Sequence, residues 1–261
     1  MAKFSVVFFR IWLKNSNFAA MLIKTKAIVL RQVKYGERKL IVDLLTEARG
    51  RVSVATTVPK TQRGKTKAQY FQPLTMLDAE LDMKRSDTLH HLRDVRLLHP
   101  YATIPFDPSK LSIVLFLAEF LYYSTRDEQQ NDSLFAYVEN SLLWLDGCPS
   151  GAPNFHLVFT MRLSRFIGFF PYTEDYHEGD IFDLRAATFA HDAPLHSDFL
   201  NADDAARIST LMRMNYESMH LFRMSRHDRN RILDVIMRYY RLHVPNFPEL
   251  RSLAVMKELW D

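Results

Sequence analysis

Arg31, Lys34, Arg38, Lys39, Arg51, Lys60, Arg63, Lys65 and Lys67 crowd into one short reach of the chain, with Tyr35, Tyr70 and Phe71 set among them. Clustered cations neutralise phosphates and release the counterions held around a polyanion. Aromatic faces stack on bases without reading their order. The combination is suited to gripping a single-stranded nucleic acid with little sequence preference. The plainer reading makes the charges solvated surface and puts Tyr70 and Phe71 in a core.

The elements that must position these residues are strands. Leu22–Arg31 places Ile23, Ala27 and Val29 on one face and Lys24 and Lys26 on the other, as the period of two requires. Ile28 and Leu30 are apolar on the second face, which predicts cover on both sides there. Leu40–Leu45 is a short apolar run broken by Asp43. Gly50–Thr57 alternates, with Val52 and Val54 inward and Arg51 and Ser53 outward. Tyr35-Gly36-Glu37 and Arg49-Gly50-Arg51 punctuate the three strands, and Pro59–Lys67 is a basic loop. Gln72–Met83 and Thr88–Leu98 complete a hairpin whose first arm alternates Thr75, Leu77, Ala79, Leu81 and Met83 against Asp78, Glu80 and Asp82. Five strands in this space predict an OB-fold β-barrel over residues 21–100.

From Asp107 the period becomes helical. Asp107-Pro108 is a capping carboxylate followed by a first-turn proline. Leu111, Val114, Leu115, Ala118 and Tyr122 follow at helical spacing, then Leu134, Tyr137, Val138, Leu142 and Leu145, ended by Gly147 and Pro149. Asn154–Ile167 is apolar nearly all round and reads as a buried helix whose Arg162 and Arg165 must reach an edge or a partner. Gly168–Ser197 is irregular, with a strand-like piece at Ile181–Phe189. Helices resume over Asp203–Met214 and Arg229–His243, and a last one runs from Pro248 to Trp260. The expected class is α+β: the barrel, then a mostly α-helical domain over residues 101–261, with no flexible linker between them.

Charge divides along the same line. Residues 21–100 carry 16 Lys and Arg against 8 Asp and Glu, whereas residues 101–261 carry 15 against 22. A basic head on an acidic body fits a nucleic-acid-binding module joined to something with other partners. One cysteine, Cys148, excludes an internal disulfide and a multi-cysteine metal site, and a reducing, cytoplasmic setting is expected. Arg10 and Lys14 break the apolar run of Met1–Ala20, so it reads as neither a secretory signal nor a membrane helix. It is expected to be an extension outside the domain or the product of a mis-set start, with an extra strand or surface helix as the alternative.

Other chemistries lack their residues. Gly64-Lys65-Thr66 ends like a phosphate-binding loop, but Pro59 stands where that loop needs glycine and no strand–loop–helix surrounds it. His177, His191 and His196 lie near Glu178, Asp180 and Asp192 without ligand-type spacing, so no metal is expected. No nucleophile elbow or acid–base pair of carboxylates is recognisable, and neither an enzyme nor a cofactor is expected. A second basic feature, Arg223, Arg226, Arg229, Arg231, Arg238 and Arg241 against Asp228 and Asp234, reads either as a solvated helix face or as a dock for an acidic peptide or a second strand.

The run AIVLRQVKYGERKLIVDLLTEARGRVSVAT resembles the N-terminal signature of the bacterial recombination mediators of the RecO family. It has an I-V-L-R strand, a Y-G-E turn, an I-V-x-L-x-T strand and a G-[RK]-V-S strand. QPLTMLDAEL, FTMRLSRFIGFFP and MRYYRLHVPNFPELRSLAVMKEL extend the resemblance in order from Met21 to about Leu259. It implies a non-enzymatic, nucleoid-associated protein of DNA repair that binds single- and double-stranded DNA and anneals complementary strands. It implies partners too: RecR, the acidic C-terminal tail of single-stranded DNA-binding protein, RecA indirectly, and no membrane. The tail would fall on the helical domain, where Arg162, Arg165, Arg223, Arg226 and Arg229 are the candidates. DNA would fall on Arg31, Lys34, Tyr35, Arg38, Lys39, Arg51, Lys60, Arg63, Lys65, Lys67 and Tyr70. Two departures stand out. FPYTEDYHEGD has none of the four zinc-ligand cysteines that many members carry, and Thr56–Pro59 replaces the usual A-K-G stretch. A general RNA-binding adaptor on the same barrel is the rival reading.

Overall fold

The computed structural model describes residues 21–57, 68–83, 89–149, 152–172 and 176–258. The chain divides after Pro100 into two compact units. In the first, strands β1 (Met21–Tyr35), β2 (Lys39–Thr46), β3 (Gly50–Thr57), β4 (Met76–Met83) and β5 (Leu89–His99) close a barrel in the order β1-β2-β3-β5-β4. The β3–β5 seam is parallel and the other pairings are antiparallel. This is the five-stranded OB arrangement.

Strand β1 serves two neighbours. Met21–Ile28 pairs with β4 and Ala27–Tyr35 with β2, with a register shift between Val29 and Arg31. A bulge of this kind bends a strand, which lets one long element belong to both walls. Ala27, Ile28, Val29 and Leu30 are all buried, so cover on both faces is found where the sequence pattern asks for it. Turns are built locally. Gly36 and Gly50 take φ of +80° and +63°, conformations that a side chain would strain. Thr46 Oγ1 donates to the Gly50 carbonyl and accepts from the Arg49 amide, which closes the β2–β3 turn.

Phe71 lies on a 3-10 turn, Ala68–Phe71, that precedes β4. It is fully buried in a core with Val42, Leu44, Val54, Leu77 and Leu81. It is therefore barrel core and not a stacking platform. Phe71→Ala is expected to destabilise the barrel by about 3–5 kcal/mol, through lost apolar contact and the cavity left behind. Urea unfolding read at the barrel should show the lower midpoint, and an unchanged midpoint would disprove the core role.

The second unit is helical: α1 (Pro108–Ser124), α2 (Asp132–Gly147), α3 (Phe155–Leu163), α4 (Ala202–Arg213), α5 (Arg226–His243) and α6 (Ser252–Glu258). Four of these helices, α1, α2, α4 and α5, are capped at their starts by side chains. Asp107 accepts from the Ser109 and Lys110 amides, Asn131 from Leu134, Asn201 from Asp204, and Ser225 forms a capping box with Asp228. Helix α3 is buried on almost every side, and the Tyr240 hydroxyl donates to the Thr160 carbonyl. His156 within it is neutral, because burial and then the Arg229 charge hold its imidazole down to about 3.

Several expectations need correction. On α1 the buried residues include Ile113, Phe116, Leu117, Phe120 and Leu121, while Leu111 and Leu115 face outward. Helix α3 stops at Leu163, and the chain then turns through Gly168, with the Phe169 amide donating to the Ser164 carbonyl. The strand-like piece at Ile181–Phe189 is two strands, β6 (Ile181–Asp183) and β7 (Thr188–Ala190), and β8 (Phe199–Leu200) pairs on the other side of β6. Helix α5 starts at Arg226 and α6 at Ser252.

Candidate nucleic-acid interface

Every residue from Arg31 to Lys39 is exposed. Antiparallel partners share a face of the sheet. Arg31, Val33 and Tyr35 therefore lie on one face of the β1–β2 hairpin with Asp43, Ile41 and Lys39, and Lys34 lies on the other with Leu40. Arg38 sits in the turn itself. The hairpin end is thus cationic on both faces and at its tip, with Glu37 its one acid. Tyr35, 67% exposed, is the aromatic ring open to stacking here.

Two of the expected contacts do not join this group. Only 12% of the Arg51 side chain is exposed, and its guanidinium lies 3.9 Å from the Asp43 carboxylate, which also accepts from Ser53 Oγ at 2.5 Å. A cation held against a carboxylate in a covered position has little field left for a polyanion. Tyr70 packs, half-buried, against the barrel core, so its ring is occupied. Lys60, Arg63, Lys65 and Lys67 lie outside the described residues, as does the extension at 1–20.

The outer face where β1, β4 and β5 meet has the opposite character. Lys24 contacts Glu80 at 2.8 Å, and Asp78, Asp94 and Arg96 lie beside them. The hydrogen bond to Glu80, and then its charge, raise the Lys24 pKa above its ordinary value. Cations on this face are matched by carboxylates, in contrast to the hairpin, where Glu37 is the one acid among residues 31–39.

In the helical unit the five tail candidates separate. Arg162 donates from Nε and Nη2 to the Met214 carbonyl, Arg226 from Nε to the Lys257 carbonyl, and Arg229 from Nη1 to the Met224 carbonyl. These three close the ends of chain segments. Arg165 and Arg223 are exposed, and the Arg165 guanidinium stacks 4.3 Å over the Phe170 ring. Arg165 also lines an open recess of about 290 Å³ with Phe170, Tyr176, Ser209, Met212 and Arg213. Arg213 went unnoticed in the sequence, since nothing local ties the end of α4 to Arg165.

The loop histidines meet carboxylates. His177 and His191 both approach Asp180, at 3.6 and 3.3 Å, and His196 lies 3.4 Å from Asp183. The amide hydrogen bond from His177, followed by the His191 and His177 rings, lowers the Asp180 pKa despite burial. Among the described residues, no group of three or more metal-ligating side chains is arranged to hold an ion, and no helix is long and apolar enough to cross a membrane.

A closed OB-type barrel with a cationic hairpin, followed by a helical domain, defines a class of two-part OB-fold proteins. Within that class the family is shown by sequence. The family model described as Recombination protein O N terminal matches residues 21–101, and Recombination protein O C terminal matches residues 105–254. The DNA repair protein RecO of Phocaeicola vulgatus is 49% identical over 241 residues, which span 92% of this chain and all of that protein. RecO of Azobacteroides pseudotrichonymphae is 36% identical over 241 residues, and that of Flavobacterium johnsoniae 31% over 246, with the same coverage of both chains. The chain belongs to the RecO family of DNA repair proteins.

Proposed function

We propose that this chain is a recombination mediator that binds single- and double-stranded DNA and anneals complementary strands. In this reading it works with RecR to bring RecA onto strands coated by single-stranded DNA-binding protein. The observation that carries the reading is the uninterrupted exposure of residues 31–39, which sets Arg31, Lys34, Arg38 and Lys39 around Tyr35 on an OB barrel. Cations on both faces of one hairpin lower the repulsion between two phosphate backbones brought near it, which is the physical demand of annealing. The exposed guanidinium of Arg165, with Arg213 beside it and Arg223 elsewhere on the unit, supports recognition of an acidic tail by the helical domain.

Fluorescence anisotropy with single-stranded DNA, duplex DNA and RNA over a salt series tests the first part. Binding of both DNA forms that weakens steeply with salt is expected. Salt-insensitive binding would overturn the electrostatic hairpin, and a marked preference for RNA would favour the adaptor reading. Annealing of oligonucleotides coated with single-stranded DNA-binding protein tests the second part. Deleting the coat protein's acidic tail should slow annealing, and an unchanged rate would remove the helical-domain dock.

A further inference from the structure

Two helices of the helical unit end against one small recess of about 110 Å³. Ser124 is the last residue of α1 and His243 the last of α5, and both line it. The final carbonyls of a helix have no partner within it and carry the negative end of its dipole. Helix α5 answers its own dipole with Arg241 and His243, whereas the last turn of α1 holds no basic residue. Asp127 and Glu128 follow α1 and also line the recess, where Arg126 is the one guanidinium against two carboxylates. Burial raises the Glu128 carboxyl above its ordinary value, the Asn131 side chain works against that, and the Asp127 charge adds to it. Ser124 supplies an independent sign. It is 6% exposed, and among the described residues its Oγ has no hydrogen-bond partner. An unpaired hydroxyl in a buried position is destabilising, and this one faces space that a donor could fill.

We propose that this recess binds a primary alkylammonium group, carried by a free diamine or polyamine or by a lysine side chain. An ammonium brings three donors. Ser124 Oγ and the two carboxylates are acceptors for them, and the bare C-terminal dipole of α1 favours the positive charge. The remaining wall suits the carbon chain behind the ammonium. The Tyr123 and Phe169 rings line it, and aromatic faces attract a cation while covering its methylenes. Phe169 is fixed in place by stacking flat on His243, 5.0 Å between ring centroids, and His243 Nε2 lies 2.7 Å from the Leu184 carbonyl. A bare metal ion fits less well, since among the described residues no three ligating side chains are arranged to hold one. An anion would meet the carboxylates. The acid excess of residues 101–261, 22 Asp and Glu against 15 Lys and Arg, draws cations toward the whole unit. The site stands independently of the DNA reading.

The test titrates the full chain by calorimetry at fixed salt with three probes: putrescine, putrescine with both nitrogens fully methylated, and lysine capped as its N-acetyl methylamide. The methylated diamine keeps its charge but has no N–H to donate. Putrescine is expected to bind about ten-fold tighter than its methylated form. Ser124→Ala should erase most of that difference and leave the melting temperature unchanged or higher, because alanine removes an unpaired hydroxyl and suits a helix better. Glu128→Gln should weaken putrescine by a similar factor, with its fold checked by the same melting curve. Capped lysine that binds as well as putrescine supports the site and points to a protein side chain as the source, whereas binding of putrescine alone supports it and points to a free polyamine. No binding of either amine, equal affinity for the two diamines, or unchanged affinity in both variants would overturn the proposal and leave only diffuse attraction to an acidic surface.

Discussion

Replacing Lys34, Arg38 and Lys39 together by alanine should raise the Kd for a single-stranded oligonucleotide about 100-fold at about 0.1 M salt. The figure follows from counterion release. Each phosphate contact on a single strand contributes about 0.7 to the slope of log K against log salt, worth about five-fold in affinity at that concentration. Three contacts multiply to about 100-fold, and the slope itself should fall by about 2. All three residues are exposed, so the barrel's stability should shift by no more than about 0.5 kcal/mol. Arg51→Met is the informative companion. Because Arg51 is covered and faces Asp43, its loss should leave the salt slope as it was. A triple variant that binds with the parental slope would remove the hairpin from the interface. A reduced slope in Arg51→Met would restore the residue that the structure sets aside.

What could be read from the sequence follows from how local each determinant is. The bounds of β3 and the two faces of β4 needed only alternation, and Asp107-Pro108 needed only one turn of helix. The buried side of α1 was legible only in part: Val114 and Ala118 are buried but Leu111 and Leu115 are exposed, because a helix with apolar residues on most of its circumference gives a period no phase. Arg51 was placed on the correct face of β3, yet its role turned on Asp43, which stands across β2 in a register that pairs it with Ser53. The break between β6 and β7 carried no signal either. Asp183 makes the turn by accepting from the Arg185 and Ala186 amides, and Ala187 takes the positive φ that glycine or asparagine usually advertises. Arg162 announced that a buried helix needed an outlet for charge. Its acceptor, the Met214 carbonyl, belongs to the end of a helix that the chain reaches much later. The cationic hairpin was legible because its residues are neighbours in sequence, and the Arg165 recess was not because Arg213 is remote.

Loss of the Asp146 carboxylate should be the most damaging single change in the helical unit. Asp146 is 5% exposed, and its carboxylate accepts from the amides of Ala102 and Thr103 at 2.8 Å each and of Ile104 at 3.0 Å. Its own carbonyl accepts from Thr103 Oγ1 at 2.6 Å. The buried ammonium of Lys110 completes the knot, donating to Thr103 Oγ1, to the Asp146 carbonyl and to the Cys148 carbonyl. One carboxylate thus ties the entry of the unit to the end of α2. Asp146→Ala strands three amide donors beside a buried cation, and a loss of about 3–5 kcal/mol is expected. The same group sets an acid limit. Burial alone would raise its pKa, but the three amides and the Thr103 hydroxyl favour the ionised form more strongly, and the net shift is below the ordinary 3.8. A carboxyl more acidic in the folded than in the unfolded state contributes stability that is full above the unfolded value, and that is lost as pH falls through the folded one. The Asp146 contribution should therefore be complete at pH 7 and fade below about pH 4. Urea midpoints of the helical unit at a series of pH values would show this limb in the parent and flatten it in Asp146→Asn. An acid limb that survives in Asp146→Asn would assign it to other carboxylates.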